Sequence, residues 1–165
     1  SGSGAIQHLA GEMFNLHAGA KTTHVPYKGA VIALTDLIAG QIQFIVASPT
    51  IVVPHAKTGR LKLLASTGAK RDSLLPEYPT VGETLPGYEI TSWQGLVLPA
   101  GTPQAIVRRR YDEIVKAVQS ADIRESFAQQ AVTALSETPA AFDAFIRADR
   151  ERMARVARAV NLTLD

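Results

Sequence analysis

Over the first sixty-six residues the hydrophobic pattern changes period several times, and that alternation restricts the chain to few architectures. Ile6, Leu9, Met13 and Phe14 recur at helical spacing within residues 5–17. Residues 22–27 (TTHVPY) then read as a short strand. Ala30, Leu34, Leu37 and Ile38 share one helical face over 30–39, and Gly40 is placed to end that helix in a left-handed conformation. A buried strand is expected at 41–47 (QIQFIVA), a short helix at 50–57 stopped by Gly59, and another strand at 61–66 (LKLLAS). Helices between strands on short loops are βαβ crossovers. They predict an α/β fold with a parallel sheet covered by helices on both faces.

The rest of the chain reads differently. Residues 67–103 hold five of the nine prolines, Pro76, Pro79, Pro86, Pro99 and Pro103, which marks a connector. Within it, residues 88–98 (YEITSWQGLVL) read as one long or bent strand. Beyond it the pattern is helical. Thr102 before Pro103 has the signature of an N-cap followed by proline at the first helical position, with Ile106, Val107, Ile114, Val115 and Val118 on one face. A short helix is expected near 122–130. Thr138-Pro139 repeats the start signal, and Phe142, Phe145, Ile146, Met153, Val156 and Val160 form an apolar stripe. Residues 1–60 carry four basic and two acidic side chains, whereas residues 101–165 carry ten and nine, so the last third reads as solvated helices.

Composition excludes several classes of function. With 165 residues the chain fits one domain, or one and a half, at roughly 100–200 residues each. A 46% hydrophobic and 19% charged composition argues against intrinsic disorder. The net charge of +2 is no nucleic-acid footprint. Zero cysteines exclude a disulfide scaffold, a zinc ribbon and thiol catalysis. No apolar run approaches the roughly 18–20 residues of a membrane span, and no basic-then-apolar leader opens the chain, so any export signal lies upstream of Ser1 or was cut off.

No catalytic motif stands out. There is no G-x-S-x-G elbow, H-E-x-x-H, P-loop or G-x-G-x-x-G opening a helix. His8 and Glu12, at i and i+4, could share a metal but lack a third ligand, and His17, His24 and His55 show no common pattern. Ser1, Ser3, Ser48 and Ser66 have no base supplied by local sequence. The expectation is a chain with no catalytic residue, cofactor or metal. Two alternatives stand beside a binding role: a doubly wound enzyme whose site assembles from distant residues, and an interaction module with exposed helices.

Binding signals lie at three junctions. In SGSGAIQHLAGE, residues 1–12, small residues precede a helix, which leaves backbone N–H groups bare at Ser3–Ala5 where the helix dipole favours an anion. An S-G-S-G start equally suits a frayed end. In HVPYKGA, residues 24–30, a strand ends at Lys28-Gly29-Ala30 and a helix begins; Val46-Ala47-Ser48-Pro49 repeats the arrangement. Ligands of open α/β sheets bind at this edge, outside the carboxyl ends of the strands.

The segments SGSGAIQHLAGEMF, HVPYKGAVIALTDLIAGQIQF, PHAKTGRLKLLASTGAKR, YPTVGETLPGYEITSWQGLVLPAGTP and ETPAAFDAFIRADRERMARV resemble the substrate-binding receptors of tripartite tricarboxylate transporters, the Bug or TctC family. The resemblance implies native S-G-S-G sequence and a periplasmic, two-lobed protein of the type II, Venus-flytrap kind that holds a small carboxylate and delivers it to membrane permease subunits. It implies a second lobe over residues 1–85, with a parallel-rich sheet flanked by helices. A returning hinge strand and connector would follow at 86–103, then helices 104–165 of an incomplete first lobe. Ligand contacts would fall on Ser1, Gly2, Ser3, Gly4, Ala5, Gln7 and His8, on Tyr27, Lys28, Gly29 and Ala30, and on Ala47 and Ser48. The sequence departs from the family at Ala47-Ser48, where many members carry Asp-Asn after an aromatic, and at Val31-Ile32, where small residues or proline are frequent. Without the opening strands of lobe one, the stripes from Phe142 to Val160 and from Ile106 to Val118 would stay bare, which points to a homodimer formed by a two-fold interface or by exchange of the C-terminal segment.

Overall fold

A computed structural model describes residues 2–160. Three helices occupy the first part: α1 (Ile6–Ala18), α2 (Ala30–Ile38) and α3 (Pro49–Lys57). A single 3-10 turn follows at Val81–Glu83, and then α4 (Gln104–Gln119), α5 (Ala121–Gln129) and α6 (Pro139–Ala159). The six helices fall where the helical periodicity expects them. Gly40 and Gly59 are left-handed, with φ of +75° and +72°, just after α2 and α3. Thr138 caps α6 by accepting from the Ala141 amide at 3.2 Å. Thr102 does not cap α4. Its hydroxyl donates back to the Pro99 carbonyl at 2.8 Å, and Pro103 takes the N-cap position, so α4 begins one residue later than the dipeptide suggested.

The sheet is where expectation and structure part. The segments at 22–27, 41–47, 61–66 and 88–98 are non-helical, but among the described residues their strand pairing is limited to one parallel bridge, Ser66 to Thr80. Around it the Ser66 amide donates to the Pro79 carbonyl at 2.8 Å, the Val81 amide to Ser66 at 2.9 Å, and the Ile90 amide to Thr67 at 2.8 Å. A strand is defined by a neighbour about 4.8 Å away in the hydrogen-bonding direction. Apolar runs show that a segment suits that role, and they cannot supply the neighbour.

The core forms around α1. Leu9, Ala10 and Met13 are buried against Tyr88 and Ile90, and Ile6, Phe14, Val46, Val81, Leu85, Met153, Val156 and Ala157 pack on them. Each large aliphatic side chain buried there contributes about 1.5–3 kcal/mol. Tyr88 brings its hydroxyl with it, donating to the Ala10 carbonyl at 3.0 Å, and burial pushes its phenol up to about 12. Thr80 and Glu83 close a capping box at the 3-10 turn, and Arg71 grips Glu83 through two nitrogens at 2.8 and 2.7 Å. That ion pair, followed by the Thr80 amide bond, holds the Glu83 carboxyl down at about 2.

The stripe on α6 is divided rather than bare. Its C-terminal half, Met153 to Ala157, packs in the α1 core. Its N-terminal half receives Trp93, whose ring meets Phe142 and Phe145 edge-on at 5.5 Å each. The Trp93 indole N–H donates to the buried Asp149 at 2.9 Å, and Arg152 bonds the same carboxylate at 2.6 Å while pairing with Glu89 at 2.9 Å. Burial works to raise the Asp149 carboxyl, but the Trp93 and Arg152 bonds outweigh it and leave the group below its ordinary value. Gly95 lies directly over the Phe142 ring, where a Cβ would overlap it.

Candidate functional site

The first junction is more tightly made than its small residues suggest. The Ala5 amide donates to the Gly2 carbonyl at 3.2 Å, closing a turn in which Gly4 has φ of +79°. The Gly4 amide donates to Nδ1 of His8, also at 3.2 Å. Two of the three N–H groups expected to be bare at Ser3–Ala5 are therefore engaged, because the His8 ring reaches back one turn and the Gly2 carbonyl folds over. The donors left over begin at Ile6, Gln7 and His8, whose amides have no intrahelical acceptor. No side chain caps α1, and its first turn holds no acid. Ser1 lies outside the described residues.

His8 is the organising side chain here. Its ring stacks on that of His24, with centroids 3.8 Å apart and an interplanar angle of 12°. Its Nε2 lies 3.7 Å from Glu12 Oε1. Burial first, and then the imidazole of His24, hold His8 below its ordinary value of 6.5. An Nδ1 that accepts the Gly4 N–H carries no proton, so the neutral ring bears its hydrogen on Nε2, facing Glu12.

At the second junction the Tyr27 hydroxyl donates to Asp36 on α2 at 2.8 Å, which raises the phenol above its ordinary value. Lys28 is exposed. Gly29 is the N-cap of α2 and Ala30 its first residue, again with no side-chain cap and no acid in the first turn. Ala30, Val31 and Ile32 thus present their amides outward, beside the exposed Val31 and Ile32 side chains. The third junction starts α3. Ser48 is the N-cap, Pro49 the first residue, and the Ser48 and Thr50 hydroxyls share a hydrogen bond at 2.9 Å. Ala47 and Ser48 are half-buried.

The segments that lead into α2 and α3 both touch α1. His24, three residues before Tyr27, lies on His8; Phe44 meets Phe14 at 6.2 Å, and Val46, next to Ala47, packs in the α1 core. Helices α2 and α3 pack on each other. Among the described site residues, only Gly4 with His8 and Gly2 with Ala5 bond directly. Lys28 and Ser48 bond to neither pair. Sequence reasoning set His24 and Ser66 aside and missed Asp36. His24 and Asp36 act across a loop that periodicity does not fold. Ser66 keeps a buried Oγ with no partner at the end of the 61–66 segment. Among the described residues no three of His, Cys, Asp or Glu gather as a metal site.

Helices alternating with apolar non-helical segments, two of which reach back to α1, give the chain an α/β-like pattern of the binding-protein class. The same class appears in solved structures. The R. palustris protein Rpa4515, solved with adipate, matches with a TM-score of 0.88 and 28% identity over 97% of this chain and 54% of its own. The periplasmic binding protein BugD matches with a TM-score of 0.83 and 26% identity over 96% and 54%. Residues 1–162 match the tripartite tricarboxylate transporter family receptor, and the chain belongs to that family. The UPF0065 protein in the tcbD-tcbE intergenic region of Pseudomonas sp. strain P51 is 32% identical over 154 residues, 92% of this chain and 46% of the relative. The chain thus spans about half the length of the relatives it matches.

Proposed function

We propose that this chain is a ligand-binding portion of a periplasmic solute receptor, that it holds a small dicarboxylate, and that it catalyses no reaction. The observation that carries this reading is the set of three helix starts, α1, α2 and α3, each without a side-chain cap or an acidic residue in its first turn. The starts of α1 and α2 each present three unsatisfied N–H donors and about half a positive charge, a ready anion site, whereas Pro49 and the Ile51 and Val52 bonds to the Ser48 carbonyl leave α3 only the Thr50 amide. One carboxylate would accept from Ile6 and Gln7 beside the Gly2–Ala5 turn. The other would accept from the amides of Ala30–Ile32, with Lys28 supplying long-range attraction. The loop of Ala47 and Ser48 would line the space between them, with ordered water bridging where donors stand too far apart. Adipate bound to Rpa4515 supports this class of ligand.

On this reading residues 1–85 form one lobe, 86–103 the hinge strand and connector, and 104–165 belong with the other lobe. Binding would shift an open–closed equilibrium that membrane permease subunits of the transporter then read. Titration calorimetry with adipate and with hexane-1,6-diol, its uncharged counterpart, tests the proposal. The reading expects saturable heat with the diacid and none with the diol. Equal behaviour of the two ligands would remove the carboxylate from it.

A further inference from the structure

His8 stands in the first turn of α1 with a partner on each side of its ring. Nδ1 accepts the Gly4 N–H at 3.2 Å, one face lies on His24 with centroids 3.8 Å apart, and Nε2 faces Glu12 Oε1 at 3.7 Å. The side chain is 11% exposed, so water solvates little of it. All of these contacts are made within the chain, and none of them uses a bare surface. Among the described residues, His24 and Glu12 are the titratable groups that bear on the ring. His24, from the 22–27 segment, opposes a charge on His8, and Glu12, on α1, favours one. Burial and the positive end of the helix oppose it as well.

The Nδ1 contact has two chemical states. With the ring neutral, Nδ1 is an acceptor, Gly4 donates to it, and the turn is closed by the Ala5 bond to the Gly2 carbonyl. A proton taken from solvent enters at Nδ1, because Nε2 already carries the hydrogen of the neutral ring. Two donors, Gly4 N–H and Nδ1–H, then point at each other across the same gap, and their bond is lost. A carboxylate oxygen set against the turn restores both partners at once. It accepts from Gly4 and from the imidazolium in a charge-assisted bond, and its charge offsets what burial, His24 and the helix end oppose. The first turn of α1 holds no acidic side chain that could serve as this acceptor.

We propose that His8 takes up one proton together with the carboxylate bound at the start of α1, so that solute and proton are held as a unit. The inference rests on the reading that a carboxylate binds there. Linkage makes the effect reciprocal: the bound anion raises the proton affinity of His8 by the factor by which the proton raises affinity for the anion. The ring of the free chain is held below 6.5 and is mostly neutral near pH 7. Affinity therefore rises as pH falls through the higher, bound-state value, and levels off below the free-state value. On release, the proton returns to solvent with the solute.

The test is an NMR titration of the His8 ring hydrogens in the 17.6 kDa chain, without ligand, with saturating adipate and with hexane-1,6-diol. Carboxyl groups titrate near pH 4 to 5, so adipate affinities are compared at about pH 6 and 8, where its own charge changes little. Adipate should raise the proton affinity of His8 about five- to tenfold, and the diol should leave it unmoved. The parent chain should bind adipate about threefold or more tighter at the lower pH, and His8→Gln should bind it equally at both. Should His8→Gln fold poorly, the His8 midpoint of the parent chain decides alone. Adipate that binds while this midpoint stays still, or a His8→Gln chain that keeps the parent's pH dependence, overturns the proposal and leaves the carboxylate reading standing. Adipate that binds at neither pH overturns both.

Discussion

Two residues carry more of the local structure than their type suggests. His8 is held below 6.5, chiefly by burial and by His24, with Glu12 acting in the opposite direction. The folded chain therefore binds this proton less readily than the unfolded chain. The associated stability is present above pH 6.5 and declines as pH falls below it toward the depressed folded value. His8→Gln keeps an acceptor for the Gly4 amide but does not titrate. Thermal melts between about pH 5 and 7 should show a shallower loss of stability on acidification in His8→Gln than in the parent chain. Identical slopes would mean that His8 does not set this dependence. Gly95 is the other residue. Its missing Cβ lets Phe142 lie on the backbone, so Gly95→Ala should cost about 1–3 kcal/mol by overpacking, measured by denaturant unfolding. Gly11 meets nothing within 4 Å, and Gly11→Ala is the control expected to show no such loss.

At the scale of elements, α6 is fastened through Trp93, Asp149 and Arg152. Trp93→Phe keeps ring packing but removes the donor to a buried carboxylate, which should cost about 1–3 kcal/mol. Arg152 still holds the carboxylate in that variant, so Asp149→Asn should cost less in the Trp93→Phe background than in the parent chain, because one of the two bonds it weakens is already gone. A double-mutant cycle that shows no coupling would contradict the fastening. The helices were legible in the sequence because each writes its own 3.6-residue period and ends at a recognisable residue, as at Gly40 and Thr138. The ladders were not, because pairing depends on neighbours the pattern does not name. The candidate site was legible in part. Small residues marked the helix starts, yet the occupation of the Gly4 and Ala5 amides, and the stacking of His24 on His8, depend on how loops return. Residues 142–160 read as one bare stripe, whereas the chain returns at Met153–Ala157 to cover its own α1.

For the whole molecule, the proposed function gives the chain a share of a carboxylate site, supplied by helix-start donors and completed by a second lobe. A chain spanning about half the length of its relatives offers a share of the closing contacts, so its own affinity is expected near the millimolar range or weaker, about −4 kcal/mol. A micromolar constant on this chain would contradict the division of the site between lobes. The most direct measurement is calorimetry of adipate with the parent chain and with Gly4→Val. Valine does not accept the +79° φ of Gly4, so the substitution disturbs the turn before α1 and leaves the α1 core intact. The account predicts weak, saturable binding to the parent chain and no binding to Gly4→Val, with both melting alike. Undiminished binding in Gly4→Val, or no binding by the parent chain, would contradict it.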